Sequence, residues 1–333
     1  MTRSALALAA SLLVLGAQAA PRASAADPGR WRLSASERLS PGYGRGLAPA
    51  GADGIFWAGD DALFRSDAQV NERLHLVPAI PGFTRSTEHL TRLGDPTWDA
   101  ARGRLLVPVG CADGCRAGAI AILDRALLWR GRVLLDPSEI ASPAWAELDP
   151  GGELVWTSSG RDLLAYRAAD LTPQAGAATA PAPRAVRRLV GVVPEGEVGG
   201  AAFWDGRLLL ATSGDPQRVW SVDVRESAAP EVRLEFERAG AARPAGLGAF
   251  DGRGGLVHLS LAASGRVSLL SFVPASDGEL RLTVSAGELR AGRPALLDVR
   301  VTQRFAGRTR PVAGARVSAG RWSARTEDRK SVV

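Results

Sequence analysis

Short apolar segments, each led by a glycine and separated by polar turn residues, recur along the chain. Beyond the first 25 residues they show strand-like alternation rather than a long helical period of 3.6 residues. The glycine-led copies are GIFWA (54–58), GRLLV (103–107), GELVW (152–156), GRLLL (206–210) and GGLVH (254–258). The pattern predicts an all-β chain built from one repeated unit.

The copies are evenly spaced. Their aligned glycines, at 54, 103, 152, 206 and 255, lie 49, 49, 54 and 49 residues apart. The longer interval contains an Ala/Pro-rich insertion at 171–186, which lengthens one loop. Periods of 20–50 residues are typical of solenoids, propellers and arrays.

The repeats share the same short segments, which amount to four strands in a complete copy. An apolar residue and an aspartate precede the glycine, as in Trp98-Asp99, and Asp-Gly marks a tight turn. An alternating strand such as AIAILD (119–124) and an outer one such as RVLLD (132–136) follow. Four short strands per repeat form a propeller blade, so we predict a five-bladed β-propeller at 31–274. The aromatic residues before the aspartates, such as Trp98 and Trp204, should pack between blades; a solenoid is the competing architecture.

The segments DAARGRLLV, DPGGELVW, DGRLLL and DGRGGLV resemble the repeats of bacterial YVTN-type and quinoprotein-like propellers, in which a D-x-x-G turn precedes an apolar strand. The resemblance covers about 31–274 and implies the fold. It selects no function, because such propellers include dehydrogenases, hydrolases and binding modules.

The fifth repeat lacks a fourth strand. It runs through LVHLSL (256–261) and RVSLLSF (266–272) to Pro274. The unassigned segment WRLSAS (31–36) is predicted to complete this blade, which would close the ring and cover its free edge.

Residues 279–333 are a second unit. They alternate apolar and polar residues and resemble a bacterial immunoglobulin-like domain, with GRPALLDVRV as one strand. That family continues past a T-D-x-x-G turn, whereas this chain has TEDRKSVV there. A complete sandwich has about 100 residues. We therefore expect a small C-terminal Ig-like β-sandwich fragment, truncated at its C-terminus.

Residues 1–25 have the features of an export signal: Arg3, an apolar run at 5–16, and small residues suited to cleavage. The run is shorter than the roughly 20 residues of a membrane span, although an N-terminal anchor helix is the alternative. We expect an exported protein (secreted, periplasmic or at the cell surface) with no membrane span in the mature chain.

Cys111 and Cys115, in CADGC, are the two cysteines. An oxidising compartment favours a disulfide between them. A metal site is the alternative, but two cysteines without a nearby histidine leave half of a tetrahedral site empty. We predict a disulfide and no metal.

Charge excludes one class of partner. The net charge is +6, and removal of residues 1–25 leaves +4; arginines and acids alternate along the whole chain. This spread does not form the basic face that nucleic-acid binding requires. We expect a monomer that binds no nucleic acid.

The chain lacks the G-x-S-x-G, H-E-x-x-H, P-loop and dinucleotide motifs. Ligands of propellers bind at the mouth of the central channel, where loops enter each inner strand. Those loops also carry Glu197, and the residues we predict to form a ligand site there are Tyr43, Arg45, His89, Arg92, Asp95, Glu139 and Arg243.

Two functions follow from this site. The first is a secreted binding or scaffold protein that needs no cofactor and recognises an extracellular ligand or protein at the channel mouth. The alternative is an exported enzyme, a quinoprotein-type dehydrogenase or metal-dependent hydrolase, centred on His89 with Arg92 or Arg45. The plain alternative to both is a solvated rim of polar loop residues.

Overall fold

The computed structural model describes residues 31–274 with short gaps, and six strand segments of the C-terminal tail. The gaps lie at 112–114, 116, 174–180, 195, 226–229, 240–241, 251–254 and 263–264. The predicted export signal and part of the insertion at 171–186 therefore lie outside the described residues. The chain divides into two compact units, one of which is residues 27–274.

Residues 31–274 form five antiparallel sheets. In chain order the strands are β1 (Trp31–Leu39), β2 (Gly46–Pro49), β3 (Ile55–Ala58), β4 (Leu63–Ser66), β5 (Glu72–Leu76), β6 (Arg92–Leu93), β7 (Thr97–Asp99), β8 (Arg104–Gly110), β9 (Ala119–Asp124), β10 (Trp129–Leu134), β11 (Glu147–Leu148), β12 (Leu154–Ser159), β13 (Asp162–Arg167), β14 (Arg187–Leu189), β15 (Val198–Trp204), β16 (Arg207–Thr212), β17 (Gln217–Val222), β18 (Val232–Arg238), β19 (Ala242–Phe250), β20 (Gly255–Ala262) and β21 (Val267–Pro274).

The sheets are the five blades of a propeller. Blades 1 to 4 are β2–β5, β6–β10, β11–β14 and β15–β18, and blade 5 is β19–β21 with β1. In blade 2 the inner strand is split into β6 and β7, which both pair with β8. The inner strands pack side by side in a closed cycle, β19 on β2, β2 on β7, β7 on β11, β11 on β15, and β15 on β19. The five-bladed propeller is confirmed, and the closed cycle excludes a solenoid.

The repeated glycine has one structural role. Its φ is positive in every blade: 91° at Gly54, 62° at Gly103, 72° at Gly152, 78° at Gly206 and 154° at Gly255. In blades 1 to 4 it lies in the turn between the first and second strands, and in blade 5 it is the first residue of β20. Glycine adopts such angles without the steric cost that a Cβ brings. The sequence repeat therefore marks a backbone position that has a positive φ in each blade.

The aromatic residues before the aspartates pack between blades, as predicted. The Trp98 ring of blade 2 lies 4.9 Å from the Phe56 ring of blade 1, between centroids. The Trp204 ring of blade 4 lies 5.2 Å from that of Trp31, which belongs to blade 5. These side chains fill the wedge between neighbouring sheets.

The N-terminal strand closes the ring. β1 pairs with β21 from Trp31 opposite Pro274 to Leu39 opposite Val267, which confirms the closure prediction. The Trp31 side chain is 2% exposed, and its Nε1 donates to Glu235 Oε2 of blade 4 at 3.2 Å. β1 thus completes blade 5, and its first residue, Trp31, fastens that blade to blade 4.

One short helix departs from the sequence prediction. α1 (Gly82–Glu88) lies in the connection between blades 1 and 2. Seven residues make only two turns, too few for a helical period to emerge from the sequence. Tertiary contacts hold the helix instead, because Arg132 of β10 pairs with Glu88 and lies 5.3 Å from the Phe83 ring centroid.

The tail is also built of strands. They are β22 (Leu280–Ala286), β23 (Leu297–Phe305), β24 (Arg308–Pro311), β25 (Arg316–Ala319), β26 (Trp322–Arg325) and β27 (Ser331–Val332). β23 pairs with β22, β24 and β27, and β25 pairs with β26. The tail is therefore all-β in its described segments, and the immunoglobulin-like sandwich stays a prediction.

Candidate binding site at the channel mouth

One end of the ring, here called the mouth, collects the loops that enter each inner strand and the loops between second and third strands. A cavity of about 70 Å³ opens there. Every blade contributes to its lining; the charged members are Arg45, Arg92, Glu197 and Arg243, and blade 3 supplies Pro143 and Ala144.

Three of the predicted ligand-site residues therefore meet at this cavity. Arg45 is neutralised, because its Nε lies 2.5 Å from Asp60 Oδ1. Arg92 and Arg243 have no side-chain hydrogen bond or ion pair to any described residue, and the Glu197 carboxylate has none either. The mouth thus presents two uncompensated guanidinium groups and one uncompensated carboxylate.

The Glu197 side of the mouth has a fixed backbone. The Glu197 N–H donates to Ser213 Oγ at 2.9 Å, and the Ser213 N–H donates to the Glu197 carbonyl oxygen at 2.8 Å. This reciprocal pair joins the loop that enters β15 to the loop that leaves β16. Glu197 is thereby held in place while its carboxylate faces solvent.

Asp95 lies at the centre of the ring instead of at the cavity surface. Its side chain is buried, and its carboxylate accepts backbone N–H groups from blades 1, 4 and 5: Leu47 at 2.8 Å, Ala201 at 3.2 Å and Leu247 at 3.2 Å. Its own N–H donates to the carbonyl of Ala144 in the loop that enters blade 3. This one residue of blade 2 bonds to the other four blades, so its role is structural.

The inner strands approach Asp95 so closely that only glycine fits beside it. A Cβ on Gly46 would lie 2.4 Å from the Asp95 Cα, and one on Gly246 would lie 2.7 Å from its Oδ1. Real Cβ atoms do not tolerate such distances. Gly46 and Gly246 therefore allow the inner strands to approach Asp95 closely. The turn glycines have a different role, which is to adopt a positive φ.

A second acid lies near Asp95, at the centre of the ring. Glu147 of β11 accepts the N–H of Phe203 from blade 4 through Oε1 at 3.2 Å. Burial raises the pKa of Glu147 to about 8, against the hydrogen bonds from Phe203 and Thr97. Burial also raises the pKa of Asp95 well above its usual range, opposed by its backbone N–H donors. Burial therefore favours the protonated form of both carboxyl groups, and the backbone N–H donors oppose it.

Tyr43 is a packing residue. Its ring stacks on Trp57 with centroids 5.2 Å apart, and its hydroxyl donates to Glu72 Oε2 at 3.0 Å. Burial, followed by the bond to Glu72, raises the pKa of Tyr43 to about 12. The aromatic wall between blades 1 and 5 holds this ring away from the cavity.

His89 and Glu139 also lie outside the cavity lining. His89 ends α1 in the left-handed conformation, with φ 58°, and is exposed. Glu139 accepts the Tyr166 hydroxyl at 3.2 Å and the Ala185 N–H at 3.1 Å, both in blade 3. His89 is therefore not among the residues that line the cavity of Arg45 and Arg92, with which the enzyme hypothesis groups it.

The other two histidines are separate from the mouth as well. His75 is exposed on β5, with Nδ1 3.0 Å from Glu72 Oε1. His258 is buried on β20, where burial lowers its pKa to about 3. Its two ring nitrogens have no hydrogen-bond partner among the described residues.

The disulfide prediction is confirmed. Cys111 and Cys115 are bonded, with Cα atoms 5.6 Å apart. Cys111 directly follows Gly110, which lines the cavity and whose carbonyl oxygen accepts the Thr91 N–H at 2.8 Å. The disulfide thus lies directly after β8, next to a residue that lines the cavity.

Sequence reasoning considered only the loops that enter inner strands. It therefore missed Ser213, which follows the second strand of blade 4, and Asp60, which neutralises Arg45. Blade topology itself holds the signal, since the second strand of a blade ends at the same mouth where the inner strand begins.

Among the described residues, no group of three or more His, Cys, Asp or Glu side chains has the spacing of a metal site. Within the same part of the chain, no helix has the length and apolar character needed to cross a membrane.

Comparisons with family models and with curated proteins find no match. Among solved structures, the chain is similar to a Myxococcus xanthus glutaminyl cyclase (10% identity, TM-score 0.44, 74% of this chain and 98% of that one). It is also similar to the Cps50 (Swd1) β-propeller domain of Myceliophteria thermophila (15% identity, TM-score 0.35, 66% of this chain and 67% of that one). A third similar structure is a chain of a mitotic checkpoint complex, with 12% identity and a TM-score of 0.38. The match covers 68% of this chain and 60% of the checkpoint chain. Likenesses this distant do not carry an activity or a ligand to this chain, whose propeller fold rests on its own strand pairing.

Proposed function

We propose that this chain is an exported β-propeller binding protein that holds a small anionic group at its channel mouth. The observation that carries the proposal is the pair of uncompensated guanidinium groups, Arg92 and Arg243, directed by two different blades to one cavity. A guanidinium group binds carboxylate or phosphate oxygens through two parallel hydrogen bonds. Arg45, already paired with Asp60, adds a neutralised donor at the same rim.

The size of the cavity limits the ligand. About 70 Å³ is far below the roughly 300–1,000 Å³ of a pocket that encloses a drug-sized molecule. The cavity therefore receives only the charged end of a ligand, and the remainder of the ligand stays outside. Such recognition suits a binding protein that captures one end of an extracellular molecule.

Export and architecture complete the proposal. Residues 1–25 would direct the chain out of the cytoplasm, and the disulfide is of the kind that an oxidising compartment maintains. Residues 279–333 would serve as an immunoglobulin-like spacer that follows the propeller in the chain, and the protein would be a monomer. Mass spectrometry of protein recovered from the outside of producing cells should find a new N-terminus near residue 26.

Calorimetric titration with inorganic phosphate and with acetate at low salt tests the binding site. We expect Arg92→Gln and Arg243→Gln each to weaken binding about tenfold, which corresponds to one lost charge-assisted hydrogen bond. Arg167→Gln is the matched control, because Arg167 is exposed at the end of β13, away from the mouth. Equal binding by all three variants, or no binding of either anion by the unaltered protein, would refute the proposed function.

A further inference from the structure

Glu197 is difficult to reconcile with a ligand that carries only negative charge. It lines the same cavity as Arg92 and Arg243, and its carboxylate has no partner among the described residues. An uncompensated carboxylate repels an approaching anion, since like charges at close range are unfavourable. A site selected for simple anions gains nothing from it.

The ring places these charges on different sides of the cavity. Glu197 enters β15 of blade 4, and Arg243 lies at the start of β19 in the neighbouring blade 5. The two strands touch, because a Cβ on Gly199 would lie 2.0 Å from the Pro244 carbonyl oxygen. Arg92 belongs to blade 2, which adjoins neither of these blades. An anionic group held between Arg92 and Arg243 therefore has Glu197 at one flank.

Glu197 and Arg243 do not neutralise each other. Their charged atoms form no ion pair within 4.0 Å, although their strands are neighbours. The Glu197 backbone is nevertheless fixed by its two bonds to Ser213. The site thus has a hydrogen-bond acceptor for a cationic group next to hydrogen-bond donors for an anionic group.

We infer that the ligand of the mouth is a compact zwitterion of the α-amino-acid class. Its carboxylate would lie between Arg92 and Arg243, and its ammonium group would donate to Glu197. Since the cavity accommodates only a group of a few heavy atoms, the ligand's side chain points to solvent and is not selected. This inference rests on the proposed function and makes Glu197 the residue that determines specificity.

Calorimetry with glycine, acetate and methylammonium tests the inference. In the unaltered protein glycine should bind about tenfold more tightly than acetate, because only glycine gains the contact with Glu197. Glu197→Gln should remove this preference and leave acetate binding unchanged or stronger. Arg92→Gln should weaken glycine and acetate alike. Glu153→Gln, which alters an exposed glutamate in the turn at the other end of blade 3, should behave as the unaltered protein.

The outcomes separate the two proposals. If acetate or phosphate binds at least as tightly as glycine, or if Glu197→Gln retains the glycine preference, the zwitterion inference is wrong while anion binding stands. If methylammonium binds as tightly as glycine, the carboxylate contributes nothing and the inference is also wrong. If glycine, acetate and phosphate all fail to bind, the proposed function fails with it.

Discussion

The centre of the ring and its mouth are both built from residues of all five blades, and both contain charged side chains. They differ in whether those side chains are hydrogen-bonded within the protein. At the centre, the Asp95 carboxylate is buried and accepts three backbone N–H groups. At the mouth, Arg92, Arg243 and Glu197 face one cavity without partners among the described residues. Polar groups that are hydrogen-bonded within the protein hold blades together, whereas polar groups without such bonds are available to a ligand. The comparison predicts that the centre controls stability and the mouth controls binding.

The largest expected effect is at the centre. Asp95→Asn keeps the shape of the side chain but replaces one acceptor oxygen with an NH₂ group that faces backbone donors. We expect the free energy of unfolding to fall by about 3 kcal/mol, because at least one buried backbone N–H group loses its acceptor and faces the new NH₂ group. Urea denaturation measures the loss. Asp60→Asn, at the mouth and with a 71% exposed side chain, should cost less than about 1 kcal/mol. Similar losses in the two variants would break the comparison.

The second effect is a pH dependence that arises from Glu147. Its pKa is about 8 in the folded protein and 4.5 as the ordinary value, so the folded state binds the proton more tightly. Stability from this group is full below pH 4.5 and decreases as the pH rises to 8, by about 1.4 kcal/mol for each pH unit. Glu147→Gln removes this dependence.

The measurement is the difference in unfolding free energy between the two proteins at several pH values, in which the contribution of His258 cancels. We expect the glutamine variant to gain stability relative to the unaltered protein between pH 4.5 and 8. A difference that does not change with pH would show that Glu147 titrates normally.

The third effect is at the edge of the mouth. Replacement of Cys111 and Cys115 by serine should lower the free energy of unfolding by about 2 kcal/mol, since a short covalent loop restricts the unfolded chain only modestly. Thermal unfolding with and without a reductant measures this loss. The reductant should lower the melting temperature of the unaltered protein and leave the double variant unaffected; a double variant that still responds would contradict the assignment.

The smallest effect is the most informative about the mouth. Arg243→Gln should change the free energy of unfolding by less than about 0.5 kcal/mol, because no described residue bonds to this side chain. The same variant should lose anion binding, as above. A destabilisation as large as that of Asp95→Asn would place Arg243 among the structural residues and remove the distinction between the two regions.

The fold was predictable because its signals are local. Gly152, for example, lies in a turn in which its φ is positive, and the apolar segment after it is largely buried. The missing strand of blade 5 was predictable by the same logic, since a blade with three strands leaves an edge that Trp31–Leu39 fills.

The site was only partly predictable, because side-chain direction is not local. Arg92 and Asp95 lie three residues apart in the inner part of blade 2, yet one lines the cavity and the other is buried in the centre. Nothing in the local sequence distinguishes them; the positions of Leu47, Ala201 and Leu247 in three other blades do. Such information exists only in the assembled ring.

The pairing of β1 with β21 also governs the order of assembly. Trp31 is made more than two hundred residues before its partner Pro274. Until then the propeller is an open arc, with Trp31 exposed and the edge of blade 5 not yet present. Closing so long a loop has a substantial entropic cost and is a slow step, because it joins the most distant contacts in the unit. A chain that ends before β21 therefore lacks the partner of β1 and cannot close the ring.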